Sequence, residues 1–167
     1  MLTQRHADLS HHGGQISLPG GGLHGGETAA EGALREAHEE IGLDPSGVRV
    51  VGALSTLWVI VSRFVVHPII AVAEIRPAFA AAPREVESLI EMPLATLWDP
   101  TGLKWDRRLR PQPGGQEGLP IWVPYFDVGG HQVWGATAMI LGEFAALLDP
   151  AFGPGPIPEP ERLRYSK

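Results

Sequence analysis

The stretch that most restricts this chain is a glycine-dense loop over residues 13–26 that runs straight into a helix crowded with carboxylates. Thr28 with Glu31 forms a capping box and Gly42 followed by Pro45 supplies a stop, so a helix is expected over residues 28–41. At about 100° per residue, Ala30, Leu34, Ala37 and Ile41 fall on one stripe that must face a core. Glu36, Glu39 and Glu40 gather on another face, with Glu36 and Glu40 one turn apart. Carboxylates so close repel one another. Hard divalent cations remove that repulsion, and Mg²⁺ prefers oxygen ligands, with water and substrate phosphates completing its shell. Arg35 lies one turn from Glu39 and can orient a carboxylate by a bidentate pair. The glycines ahead of the helix let backbone approach a phosphate or turn a carbonyl toward a cation. An ordinary solvated acidic face would explain Glu39-Glu40 alone; the ordered pattern around them asks for more.

The same loop contains a decoy. Gly20-Gly21-Gly22-Leu23-His24-Gly25 satisfies G-x-G-x-x-G, the dinucleotide-binding fingerprint, which is weak by itself. A dinucleotide-binding helix offers its positive N-terminus to the pyrophosphate. This helix carries glutamates at its middle and end, so phosphate is expected here only through a metal ion. The bulk composition agrees with that economy of charge. A net charge of −6 argues against broad nucleic-acid binding, because neutralising phosphates needs a basic face. The absence of cysteine excludes disulfides and thiolate metal sites. No basic segment followed by an apolar run opens the chain, and no apolar stretch approaches the ~20 residues that span a bilayer. A cytoplasmic protein with no membrane partner is expected.

Along the rest of the 167 residues, one domain over residues 1–149 and a proline-rich tail over residues 150–167 are expected. Residues 48–53, 57–61 and 64–75 are rich in β-branched and aromatic side chains and read as strands. Residues 83–90 read as a short helix, and residues 102–118, with their prolines, glycines and charges, as a loop. Residues 121–126 and 131–134 look like a hairpin turning at 127–130, and residues 137–148 like a closing helix. Such a mixture means an α/β or α+β domain.

Gly21, Glu27, Arg35-Glu36, Glu39-Glu40 and Gly42-Leu43 stand at every fixed position of the Nudix box, and the chain resembles that family. Ala37 replaces a bulkier aliphatic residue on the core side. The resemblance implies a Nudix fold, an α/β/α sandwich around a mixed β-sheet, with Mg²⁺ or Mn²⁺ at the box helix. It implies Glu36 and Glu40 as principal metal ligands, Glu39 as a further ligand or the water-activating base, and Arg35 and Glu27 as residues that orient them.

A second resemblance lies upstream. Leu2-Thr3-Gln4-Arg5, Leu9, His12-Gly13-Gly14-Gln15 and Leu18-Pro19-Gly20-Gly21 are similar to the additional signature of coenzyme A pyrophosphatases. Leu18 replaces the usual phenylalanine, His6 a serine and, downstream, Arg63 a glycine. This subfamily implies hydrolysis of coenzyme A or its thioesters, with Arg5, Gln15, Gly20 and Gly21 at the substrate. A broader ADP-ribose or dinucleotide pyrophosphatase and a non-catalytic nucleotide-sensing module are the alternatives. Related enzymes carry a further strand before the Leu-Thr-x-Arg segment, whereas Met1 stands almost at that point. Either the start is placed too late, or the sequence is truncated, or the sheet has lost its first strand; an exposed edge that invites a homodimer or aggregation would follow. Lys104, Arg107, Arg108 and Arg110 read as a solvated basic loop, His11 and His12 as loop hydrogen-bonding groups, and Trp134 as core rather than a stacking platform.

Overall fold

The computed structural model describes residues 1–8, 13–60, 62–99, 101–110, 118–149 and 151–152. Two helices and a set of short antiparallel strand pairs make up an α/β domain. The first sheet is built on β1 (Leu2–Arg5), which lies between β2 (Ile16–Ser17) and β7 (Val86–Ile90). Leu2 and Thr3 are each 1% exposed. The segment expected to border an open edge is thus hydrogen-bonded on both sides; the edges of this sheet are β2 and β7. A register shift between Gln4 and Arg5 in the β1–β7 ladder bends the strand where Arg5 leaves it.

Two further pairs follow the first helix. β3 (Val48–Ala53) pairs with β6 (Ile69–Ala73), and β4 (Leu57–Val59) pairs with β5 (Phe64–Val66). The reading of residues 64–75 as one strand needs correction. His67-Pro68 interrupts it, because proline cannot donate to a ladder, and the two pieces serve different partners. Arg63, in the turn between β4 and β5, has φ 58°, a left-handed conformation that favours glycine.

The remaining strands correct two more expectations. Residues 83–90 are not helical: β7 pairs with β1 along its length, after a turn in which the amides of Glu85 and Val86 donate to the Ala82 carbonyl. A run so short satisfies helical and extended periods alike, and pairing decides. The region 102–118 is not all loop. Residues 103–110 form β8 (Leu103–Arg110), registered residue by residue against β9 (Leu119–Val128); residues 111–117 lie outside the described ones. β9 turns at Gly129-Gly130 into β10 (His131–Trp134), as the hairpin reading expected.

The core forms where these strands meet α2 (Gly135–Leu148). Phe126, Val128 and Val133 pack there with Leu2, Leu97 and Ala145, all nearly inaccessible. Phe152 rests on Phe126, with ring centroids 6.4 Å apart and planes 19° from parallel, so packing continues past residue 149. Residues 150 and 153–167, which hold the proline-rich segment, lie outside the described residues.

Candidate active site

The site is built on α1 (Ala29–Ile41). Its capping box forms as read: the Thr28 hydroxyl accepts from the Glu31 amide at 3.3 Å, and the Glu31 carboxylate accepts from the Thr28 amide at 2.8 Å. Gly42 closes the helix at φ 66°, and the amides of Ala80 and Ala82 satisfy the carbonyls of Ile41 and Glu40. Ala37 and Ile41 are buried, which sets the helix rotation and turns the glutamates toward the glycine loop.

Arg35 organises that face. Its Nε donates to Glu27 Oε1 at 2.7 Å and its Nη2 to Glu27 Oε2 at 3.1 Å, a two-point grip. Nη1 reaches Glu36 at 2.9 Å and Glu39 at 3.3 Å, and Nη2 also donates to the Gly22 carbonyl at 2.8 Å. Glu27 accepts in addition from the His24 amide at 2.7 Å. The Arg35 hydrogen bonds, followed by the His24 amide, hold the Glu27 carboxyl down at about 2. The same bonds to Glu27 and Glu36 push the Arg35 guanidinium further up. Glu27 is thus a fixed anion, and the Arg35 guanidinium ties the Gly22 carbonyl of the glycine loop to the helix.

Glu40 lives in a different environment. It is 3% exposed, accepts from the Gly20 amide at 3.1 Å, and faces Arg5 at 3.7 Å. Burial raises its pKa, against the lowering effects of the Gly20 amide and Arg5, while Glu36 and Glu85 add to the rise. Gly21 packs directly on Glu36: a Cβ built there would overlap the Glu36 carboxylate. Glu39 is the open member of the set, its side chain 54% exposed.

The fold therefore brings together residues far apart in sequence. Arg5, Gly20, Gly21, Glu27, Arg35, Glu36, Glu39 and Glu40 share one site, and Gln15 joins it through its carbonyl, which accepts from the Arg5 amide at 3.0 Å. Sequence reasoning missed Gly32. It is buried in the first half of α1, and a Cβ there would overlap Leu23 and crowd Glu27, so its lack of a side chain lets the loop lie on the helix. A glycine inside a helix that otherwise favours its state was the available signal.

The basic residues have other duties. They lie on β8, where Lys104 pairs with Asp127 at 2.6 Å and Arg108 pairs with Asp106 at 3.0 Å. Arg108 also lies over the half-buried Trp134 ring, 4.0 Å from its centre, a cation–π contact within the protein. His11 and His12 fall outside the described residues.

Residues 1–112 match the NUDIX domain family. The chain belongs to the Nudix family. Among its relatives are proteins named uncharacterized Nudix hydrolase NudL. The one from Escherichia coli (strain K12) is 32% identical over 151 residues, covering 87% of this chain and 72% of the relative. Those of Citrobacter koseri and Pectobacterium atrosepticum are 33% and 34% identical, with the same shares covered. The α/β domain with its two helices is accordingly a Nudix fold, and the family's general activity is hydrolysis of pyrophosphate bonds. Nudix hydrolases generally use divalent metals such as Mg²⁺.

The residues present suit such an ion in chemistry. The three glutamates of this helix face, Glu36, Glu39 and Glu40, offer only carboxylate oxygens, and Gly21 makes room for the Glu36 carboxylate by having no Cβ. Among the described residues no three carboxylate or histidine side chains already close around one point. That is compatible with Mg²⁺, which usually takes one or two carboxylates and fills its shell with water and phosphate oxygens. No helix among the described residues is long and apolar enough to cross a membrane.

Proposed function

We propose that this Nudix hydrolase cleaves the diphosphate of coenzyme A or its thioesters, giving 3′,5′-ADP and 4′-phosphopantetheine or its acylated form. The observation that carries this reading is the return of Arg5, from the Leu-Thr-x-Arg segment, to the buried Glu40 of the box helix. Arg5, 35 positions upstream of Glu40, offsets the buried charge of Glu40 and keeps its guanidinium partly exposed, which brings the upstream signature and the box helix to one place. Glu36 and Glu40 would hold Mg²⁺ or Mn²⁺, with Glu39 as a third ligand or as the base that takes a proton from the attacking water. Bound there, the metal supplies charge neutralisation of the diphosphate and a water of lowered pKa.

The chain's own groups do the rest. Arg35 holds Glu27, Glu36 and Glu39 in place, so the carboxylates need little reorganisation when a substrate arrives. The Gly20 amide and Arg5 stabilise Glu40 as an anion against its burial. Arg5, 27% exposed at its side chain, keeps a face open to a phosphate, and the loop at Gly20 and Gly21 admits the diphosphate without side-chain obstruction. The enzyme acts on a small nucleotide in the cytoplasm, and β2 and β7, the outer strands of the first sheet among the described residues, are the candidate homodimer contacts.

A broader action on ADP-ribose or dinucleotides is the second reading, favoured by Leu18 and Arg63, the departures from the coenzyme A signature. A sensing module without chemistry has no use for three crowded glutamates. The test is product identification after incubation with coenzyme A, NADH, ADP-ribose and diadenosine polyphosphates. Release of 3′,5′-ADP as the fastest reaction supports the reading; faster AMP release from ADP-ribose refutes it. Arg5→Ala sharpens the assay, with kcat/KM for coenzyme A expected to fall by about 1.5–3 kcal/mol in activation free energy.

A further inference from the structure

The chemistry of the carboxylate site makes no use of the β4–β5 hairpin. Among the described residues these two strands pair only with each other. At the base of the hairpin the Leu54 amide donates to the Pro68 carbonyl at 3.0 Å, and the Ser55 amide donates to the Glu143 carboxylate of α2 at 2.8 Å. Toward the turn its side chains are large, apolar and in water: Trp58 is 72% exposed, Ile60 78%, Phe64 66% and Val65 55%. Apolar residues scattered singly over a surface are ordinary, whereas a cluster of them marks a contact surface.

Shape and charge together select what meets this cluster. Trp58 stands directly opposite Val65, so both project to one face of the hairpin, while Val59 and Phe64 form the next pair and project to the other. A flat protein partner, a second copy of this chain included, covers one face of a two-stranded ribbon and leaves the other in water. A lipid headgroup layer surrounds an inserted tip and covers both, and tryptophan is enriched at that level of a bilayer. The chain carries a net charge of −6, yet no Asp or Glu lies between Asp44 and Glu74, a stretch that holds Arg49, Arg63 and His67. Arg63 stands in the turn itself, next to Phe64. An anionic surface therefore repels the rest of the protein and accepts this stretch. Glu143, the one carboxylate bonded to the hairpin's base, is engaged by the Ser55 amide. From Ser55 to Ile60 extended chain covers about 16 Å. Interfacial segments enter only about 5–10 Å, and charges are screened over about 8 Å at physiological salt, so Glu143 stays outside the layer.

We propose that the β4–β5 hairpin docks the enzyme on anionic phospholipid bilayers, with Trp58, Ile60 and Phe64 in the headgroup layer and Arg63 on lipid phosphates. The inference does not depend on which nucleotide is cleaved. No helix among the described residues can cross a membrane, and a docked hairpin needs none.

The test is sedimentation of the full chain with two kinds of vesicle at physiological salt: phosphatidylcholine alone, and phosphatidylcholine with about one third phosphatidylglycerol. Wild type should bind the mixed vesicles at least about fivefold more tightly than the neutral ones. Trp58 is the exposed member of the five tryptophans, so bromine-labelled lipid should quench it first, and bromines near the headgroups more than deep ones. Arg63→Gln should lower affinity for the mixed vesicles about fivefold. The double variant Trp58→Ser/Phe64→Ser should lower it at least about tenfold. Its Tm and its nucleotide cleavage in solution should match wild type, because both side chains already lie in water. Arg63→Gln and the quenching pattern keep the proposal open to refutation even where the double variant folds poorly. Wild type that ignores the mixed vesicles overturns it, as does binding without tryptophan quenching or binding that the double variant retains. A reversible dimer lost in the double variant, with no vesicle binding, gives the hairpin to a second copy and overturns the lipid assignment.

Discussion

Glu40→Gln separates the two things a buried carboxylate on this helix does. The substitution keeps shape and leaves an amide oxygen to accept from the Gly20 amide, but removes the charge. Without metal, that charge is a burden: burial, with the nearby Glu36 and Glu85, raises the Glu40 pKa, and Arg5 at 3.7 Å offsets only part of it. An acid whose folded pKa is raised contributes stability that is fully present below its unfolded value, about 4.3. That contribution is lost as the pH rises through the folded value. At pH 7 the native glutamate is therefore a net cost, and the neutral amide relieves it while giving up the Arg5 pairing. The metal-free variant should match or exceed wild type by up to about 1 kcal/mol at pH 7. The difference should shrink toward zero near pH 4. Activity should move the other way. Loss of a ligating charge should lower kcat by two orders of magnitude or more, about 2.7 kcal/mol in the barrier. Urea unfolding in EDTA at several pH values and turnover at saturating Mg²⁺ provide both readings. A metal-free variant less stable by about 2 kcal/mol, or one with wild-type turnover, would refute the reasoning.

Three other substitutions probe neighbouring claims. Arg63→Gly should raise the unfolding free energy by about 1 kcal/mol, because glycine adopts the φ of 58° without a Cβ penalty; a lower Tm would mean that the arginine side chain holds the turn. Gly21→Ala should push the Glu36 carboxylate out of its place on Arg35, lowering kcat at least tenfold with little change in Tm, and unchanged kinetics would show that Glu36 has slack. Glu27→Gln should lose stability relative to wild type at pH 7; as Glu27 titrates down at about 2, that difference should persist to mildly acidic pH and vanish as the pH falls toward 2. Denaturant midpoints for the pair across that range check it, and a difference that disappears by pH 5 would contradict the Arg35–Glu27 grip.

What could be read beforehand, and what could not, follows from which signals are local. The cap at Thr28, the stop at Gly42 and the apolar stripe ending in Ala37 and Ile41 all act within a turn or two, and α1 stands where they place it. β8 was hidden because Lys104, Asp106, Arg107, Arg108 and Arg110 put charge on both of its faces, so the segment looked like a charged loop; pairing with β9 makes it a strand. β7 was hidden by its length and is defined by β1, more than 80 residues away in sequence. Within the site, helix geometry grouped the three glutamates but made them look equivalent. The distinction between a buried Glu40 under Gly20 and Arg5 and an open Glu39 depends on loop and strand contacts that no spacing encodes.

The most direct test of the central claim is a one-pot competition: equimolar coenzyme A and ADP-ribose, saturating Mg²⁺, wild-type enzyme, with products resolved by mass. The ratio of initial rates gives the ratio of kcat/KM without separate calibration. A Nudix site whose box helix works with the upstream Arg5 segment should release 3′,5′-ADP and 4′-phosphopantetheine at least tenfold faster than AMP and ribose 5-phosphate. Preferential consumption of ADP-ribose, with coenzyme A intact, would contradict it.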